Sequence, residues 1–176
     1  KDRIDNAIKR ASSKEEGNFD EIVYEGYGPY GVAIVVETAT DNPTRTVANV
    51  RMHFTKGHGS LGTSGSVAFG FTHMAEFKIK GAGVNVDDLE FELIDFGLEE
   101  IGEDADGNII IRTPFNEYGH MSKALEEKKL EVISAELTWI PSNTMELNED
   151  QANEVLKLVD NLEQDDDVQK VYHNLK

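Results

Sequence analysis

The side chains best suited to chemistry gather in Thr44–Val67, TRTVANVRMHFTKGHGSLGTSGSV. His53 and His58 could give two imidazoles to a metal, but a zinc site takes three or four ligands, and neither cysteine nor a nearby carboxylate completes the set, so no metal is expected. Ser64 or Ser66 beside His53 or His58 would suit a nucleophile and its base. The G-x-S-x-G elbow is absent, however, and no third group is identifiable, which makes a hydrolase the weakest reading and leaves no catalytic residue to name. Gly57, Gly59 and Gly62 spell G-x-G-x-x-G, yet they follow a helical pattern and lead toward a strand, the reverse of the order a dinucleotide site requires. What survives is a cradle of backbone N–H groups in a glycine loop, flanked by Arg45, Arg51 and Lys56, which is suited to phosphate or RNA. The plainer alternative is a solvated helix face followed by glycines that permit positive φ in a helix C-cap and a tight turn, which accounts for Gly57 and Gly59.

Two acidic runs ask the same question. Asp104-Ala105-Asp106-Gly107-Asn108 resembles part of a calcium loop without its full ligand set, and reads as a hairpin turn. Asp165-Asp166-Asp167 could bind a cation, and reads as a solvated connection between elements.

Something must position these groups. The chain has 176 residues, 39% of them hydrophobic, enough for a core, and no apolar run approaches the length of a membrane span. Without cysteine there is no disulfide framework, which fits the reducing cytoplasm. The net charge of −17 argues against nucleic acid, but it is unevenly spread. Lys1–Phe77 carries 8 basic and 10 acidic residues, whereas Lys78–Lys176 carries 9 and 24, so only the first part could present a basic surface.

Periodicity and caps give the elements. A basic helix is expected over Lys1 to Ala11, then strands around Ile22–Tyr24 and Val32–Glu37 joined by a glycine- and tyrosine-rich turn. Asn42 and Pro43 start a helix with Val47, Val50 and Phe54 inward and Arg45, Asn49, His53 and Lys56 outward; a third strand over Val67–Phe71 closes a β-β-α-β unit. From Phe77 follow a strand to Lys80, a helix capped by Asn85 and stopped by Gly97, a hairpin turning at Asp106-Gly107, a helix from Glu117 to Lys129, and a strand from Glu131 to Ile140 in which Ile133, Ala135, Leu137 and Trp139 alternate. That β-α-β-β-α-β order is ferredoxin-like. A helix capped by Asn148 and a strand over Val168–His173 end the chain and return to the first unit. The expected organisation is α+β: residues 1–17 a remnant helix and linker, 18–76 with 141–176 a discontinuous domain, and 77–140 an inserted ferredoxin-like domain.

Tyr24-Glu25-Gly26-Tyr27-Gly28-Pro29 with Gly31-Val32-Ala33, Thr40-Asp41-Asn42 with Arg45-Thr46-Val47, Leu61-Gly62-Thr63-Ser64-Gly65-Ser66-Val67, and Asp166-Asp167-Val168-Gln169-Lys170-Val171-Tyr172-His173-Asn174 occur in this order. Together they resemble the YebC/PmpR family, whose mitochondrial relatives include the translational activator of cytochrome c oxidase. The resemblance implies three domains, an N-terminal helical one of which this chain keeps only the last helix, then a second domain with a ferredoxin-like third inserted in it. It implies a non-enzymatic, cytoplasmic regulator of gene expression without cofactor, either a DNA-binding transcriptional regulator or a ribosome-associated translation factor contacting rRNA. Arg45, Arg51, Lys56, Thr63, Ser64 and Ser66 match the family's shared stretch and are the expected nucleic-acid contacts. His58 stands where glycine or asparagine is expected. The acidic insert would face solvent or a protein partner, the protein being a monomer with no membrane attachment.

Overall fold

A computed structural model describes residues 19–176, so the helix expected over Lys1 to Ala11 lies outside the described residues. The strands are β1 (Asp20–Tyr27), β2 (Ala33–Thr40), β3 (Ser60–Leu61), β4 (Phe71–Ile79), β5 (Glu100–Glu103), β6 (Ile109–Pro114), β7 (Val132–Pro141) and β8 (Val168–His173). The helices are α1 (Pro43–Lys56), α2 (Val86–Leu93), α3 (Tyr118–Glu127) and α4 (Glu149–Glu163). The chain divides into two compact units, one running up to Phe71 and resuming at Pro141–Lys176, the other spanning Thr72–Ile140.

In the first unit the sheet order is β3-β1-β2-β8. β2 sits centrally because Ala-Ile-Val-Val is apolar on both faces, and it pairs antiparallel with β1 and β8, Tyr24 opposite Val36 and Val36 opposite Val171. Val32, Ile34 and Val36 form one core with Val50 and Phe54 of α1 and Val155, Leu158 and Leu162 of α4. Fully burying a side chain of this size contributes about 1.5–3 kcal/mol. α1 starts as read, with the Asn42 side chain accepting the Arg45 N–H and Pro43 in the first turn. α4 carries a full capping box between Asn148 and Gln151.

The third strand differs from expectation. It is the two-residue β3, paired with Gly26 and Tyr27 of β1, while Ala68–Gly70 form a 3-10 turn and Phe71 opens β4. The strands read separately at Val67–Phe71 and Phe77–Lys80 thus give way to one continuous strand, because Phe71, Ala75, Phe77 and Ile79 hold the period-two alternation through the polar Thr72 and His73.

The second unit has the order β5-β6-β4-β7, with its first strand internal as a ferredoxin-like unit requires. Ala75, Phe77 and Ile79 of β4 and Ile109 and Ile111 of β6 meet Leu89 and Leu93 of α2 and Met121, Ala124 and Leu125 of α3. Asn85 caps α2, and Gly97 stops the following turn at φ +86°. The hairpin turn belongs to Asp104, whose Oδ1 accepts N–H bonds from Asp106 and Asn108 at 2.9 Å each. β7 lies at the sheet edge, and of its alternating apolar residues Ile133 and Leu137 remain 47% and 42% exposed. Trp139 instead stacks on His73, ring centroids 4.3 Å apart, with Phe115 against the other side of His73 at 4.5 Å.

Candidate nucleic-acid interface

One outward face of α1 meets the segment after α4. Arg45, Asn49, Met52, His53 and Lys56 line a cleft of about 520 Å³, and Asn161, Gln164 and Asp165–Asp167 form its far wall. The residues expected to look outward together do share a face, but two of them are engaged. Arg45 donates through Nε and Nη2 to the two carboxylate oxygens of Asp167, at 3.2 and 2.9 Å, and through Nη2 to Asp41 at 2.8 Å. These carboxylates push the guanidinium pKa up, so Arg45 is a permanent cation. Asp167 is 1% exposed and also accepts the Thr46 hydroxyl at 2.8 Å, while that hydroxyl bonds Thr40 Oγ1 at 2.6 Å. His53 Nε2 lies 3.1 Å from Asp165 Oδ2.

The triple aspartate is therefore not the solvated connection it resembles. Asp165 Oδ1 accepts the Asp167 N–H at 3.0 Å, and this tight turn aims Asp167 at Arg45 and Thr46. Thr46 is buried in α1 beside Val50 and Phe54, while Val47 is only half-buried. A threonine among valines gave no sign that its hydroxyl would meet a carboxylate 121 residues away.

The glycine loop is organised by Glu25 of β1, a residue with no role in the sequence reading beyond the resemblance. Its side chain is 4% exposed, and its Oε1 accepts the N–H groups of Val67 at 2.7 Å and Ala68 at 2.9 Å. Burial pushes this carboxyl up, but the N–H donors of Ala68, Val67 and Gly65 outweigh it and hold the group below the ordinary carboxylate value. The cradle expected to open toward a ligand thus already encloses one of the protein's own anions. Gly62 N–H reaches the Glu25 carbonyl at 2.8 Å, and the Ser66 N–H and hydroxyl both donate to the Thr63 carbonyl, at 3.0 and 2.6 Å.

Gly57 and Gly59 answer to packing rather than to positive φ, whereas Gly65 turns the loop at φ +86°. Gly57 has φ −88°, and the left-handed residue after α1 is His58 at φ +65°, a conformation glycine or asparagine adopts more readily. A Cβ on Gly59 would lie 2.3 Å from the Tyr27 carbonyl oxygen, so this glycine lets the loop close onto β1.

Of the six expected contact residues, Arg45 is half-buried and paired with Asp41 and Asp167, Ser66 is exposed but its hydroxyl bonds back to Thr63, and Arg51, Lys56, Thr63 and Ser64 are exposed. Among the described residues neither Arg51 nor Lys56 has an ion-pair partner. Arg51 lies with Thr44, Ala48 and Thr55 on an exposed stripe of α1, apart from the cleft. The whole region shares one property: between Asp41 and Glu76 runs a 34-residue segment without a single carboxylate, in a chain where 34 of 176 residues are acidic.

The chain matches the family described as TACO1/YebC second and third domain over residues 19–175. It is 53% identical over 179 residues to a protein named probable transcriptional regulatory protein from Myxococcus xanthus, spanning 99% of this chain and 75% of the relative. A Flavobacterium johnsoniae protein of the same name is 49% identical, over 100% and 74% of the two chains. A crystal structure of a conserved hypothetical protein from Aquifex aeolicus superposes with a TM-score of 0.75 at 36% identity, covering 90% of this chain and 65% of that one. The chain belongs to the TACO1/YebC family.

Proposed function

We propose that this protein regulates gene expression by binding nucleic acid without catalysis, through the surface formed by the carboxylate-free segment between Asp41 and Glu76. That segment carries the reading. A polyanion is held by cations and hydrogen-bond donors and repelled by carboxylates, and this stretch supplies Arg51, Lys56, Thr63 and Ser64 at the surface. Arg45 serves the surface indirectly, by fixing α1 to Asp167. The bacterial relatives are named probable transcriptional regulatory proteins, which supports DNA as the nucleic acid in this first reading.

A second reading, a translation factor on ribosomal RNA, is favoured by the placement of the helices. α1, α2, α3 and α4 each bury a face in the core of a sheet, and the described residues include no helix-turn-helix pair free to enter a major groove. Crosslinking the intact protein in cells and sequencing the attached nucleic acid separates the two: promoter DNA supports the first, ribosomal RNA the second. Arg51→Glu with Lys56→Glu is expected to reduce crosslinking at least tenfold in either case. Equal recovery from wild type and double variant would refute the assignment of this surface.

A further inference from the structure

Phe69 is 81% exposed, on the 3-10 turn that links the glycine loop to β4. The turn around it is firmly held. Val67 and Phe71 on either side are buried, at 2% and 7% exposure. The Val67 and Ala68 N–H groups are bound by Glu25, Gly70 N–H donates to the Val67 carbonyl, and the Gly70 carbonyl accepts the Ser142 N–H at 2.8 Å. An aromatic ring is thus presented to solvent from a backbone fixed on both sides, at the cost of leaving a large apolar surface in water.

The segment that carries the ring also has the right charge composition. Phe91, equally exposed at 80%, lies on α2 among Asp87, Asp88, Glu90, Glu92 and Asp95, where a polyanion is repelled. Phe69 belongs to the carboxylate-free segment and follows the exposed hydroxyls of Thr63 and Ser64. An exposed phenyl ring on a held backbone, a few residues along the chain from neutral donors, matches the platform on which single-stranded nucleic acids stack a base, since every base has a π-face but offers it only when unpaired.

We propose that Phe69 stacks on an unpaired nucleobase, making single-stranded nucleic acid, or a strand with an extruded base, the preferred ligand of this surface. The inference rests on the nucleic-acid reading above and specifies its ligand.

The test measures binding of the intact protein to fluorescein-labelled 12-mers by anisotropy: single-stranded RNA, single-stranded DNA, the RNA with abasic positions, and the blunt duplex. Wild type is expected to prefer the single strands to the duplex and to the abasic strand. Phe69→Ala is expected to weaken single-strand binding roughly tenfold or more, from the typical contribution of one stacked base, and to leave duplex binding within about twofold. Phe69→Trp should keep the affinity, and its indole emission, measured above the Trp139 background of wild type, should be quenched on binding. Because the ring is exposed, an unchanged thermal midpoint checks that the variants are folded. The RNA and DNA arms identify which backbone is used.

Single-strand binding unaffected by Phe69→Ala and by abasic positions would overturn the stacking role while leaving the nucleic-acid reading intact. Loss in Phe69→Ala of a co-purifying protein, with oligonucleotide affinities unchanged, would overturn it in favour of a protein contact. No binding to any of the four probes would remove the nucleic-acid reading and the proposal with it.

Discussion

Replacing Glu25 separates a structural anion from a ligand-facing loop. In Glu25→Ala the Val67 and Ala68 N–H groups lose their acceptor, and Val67 is too buried for water to replace it fully. Leaving a buried donor unsatisfied costs about 1–3 kcal/mol, so the pair is expected to cost about 2–4 kcal/mol, allowing for partial rehydration at the half-buried Ala68. Glu25→Gln keeps a carbonyl acceptor but loses the charge, and about 1–2 kcal/mol is expected. Urea unfolding gives the difference, and amide exchange at Val67 and Ala68 shows whether the loop opens before the rest. The pH dependence has a definite sign. The folded carboxyl is held below its ordinary value, so its contribution is complete above the unfolded value of about 4.3 and is lost as pH falls through the folded one. The gap between wild type and Glu25→Gln should therefore be widest near neutral pH and close in acid. A Glu25→Ala protein within about 0.5 kcal/mol of wild type, with unchanged exchange at both amides, would refute the claim that this carboxylate holds the loop.

Asp167→Ala removes the two-oxygen acceptor of Arg45 and the tie between α1 and the turn after α4, but Arg45 keeps Asp41 and the Thr46 hydroxyl keeps the Asn42 carbonyl, so a loss of about 1–2 kcal/mol is expected in denaturant unfolding. Gly59→Ala drives a Cβ into the Tyr27 carbonyl oxygen and should cost about 2 kcal/mol or more, with loss of the β3 pairing visible as faster exchange at Ser60 and Leu61. His58→Gly relieves a left-handed histidine and should stabilise the protein by up to about 1 kcal/mol in the same assay.

What the sequence made legible was local. The Asn42, Asn85 and Asn148 caps and the last strand are written in adjacent residues, and the structure has each of them; the hairpin is there too, but its connection runs from Asp104 to Asn108 and is ordered by Asp104 rather than being a two-residue Asp106-Gly107 turn. What stayed hidden depended on partners remote in the chain. The Asp165–Asp167 run has the composition of a solvated link, and only its turn, with Arg45 122 residues away, draws Asp167 inside. Glu25 alternates along β1 like any surface glutamate until Val67 and Ala68 fold over it. The break misread between Phe71 and Phe77 came from Thr72 and His73, whose polarity suggests a loop although His73 is stacked between Phe115 and Trp139.

These hidden interactions bear on the charge objection to nucleic acid. Counting formal charges treats every carboxylate in the first unit as surface potential, but Glu25 and Asp167 are almost fully buried and spend their charge on backbone N–H groups and on Arg45. Asp165, 11% exposed, faces His53. An interior anion offset by its own donors contributes little field beyond them, and what remains is screened within about 10 Å at 0.1 M salt. What the segment carrying Thr63, Ser64 and Phe69 itself contributes to the potential is therefore positive, since it holds Arg51 and Lys56 and no carboxylate. The same inward carboxylates that lower the net charge hold α1 and the loop in the shape such a ligand would need, so Glu25→Ala should weaken single-strand binding although it removes a negative charge. If charge count governed binding, that variant would bind more tightly instead.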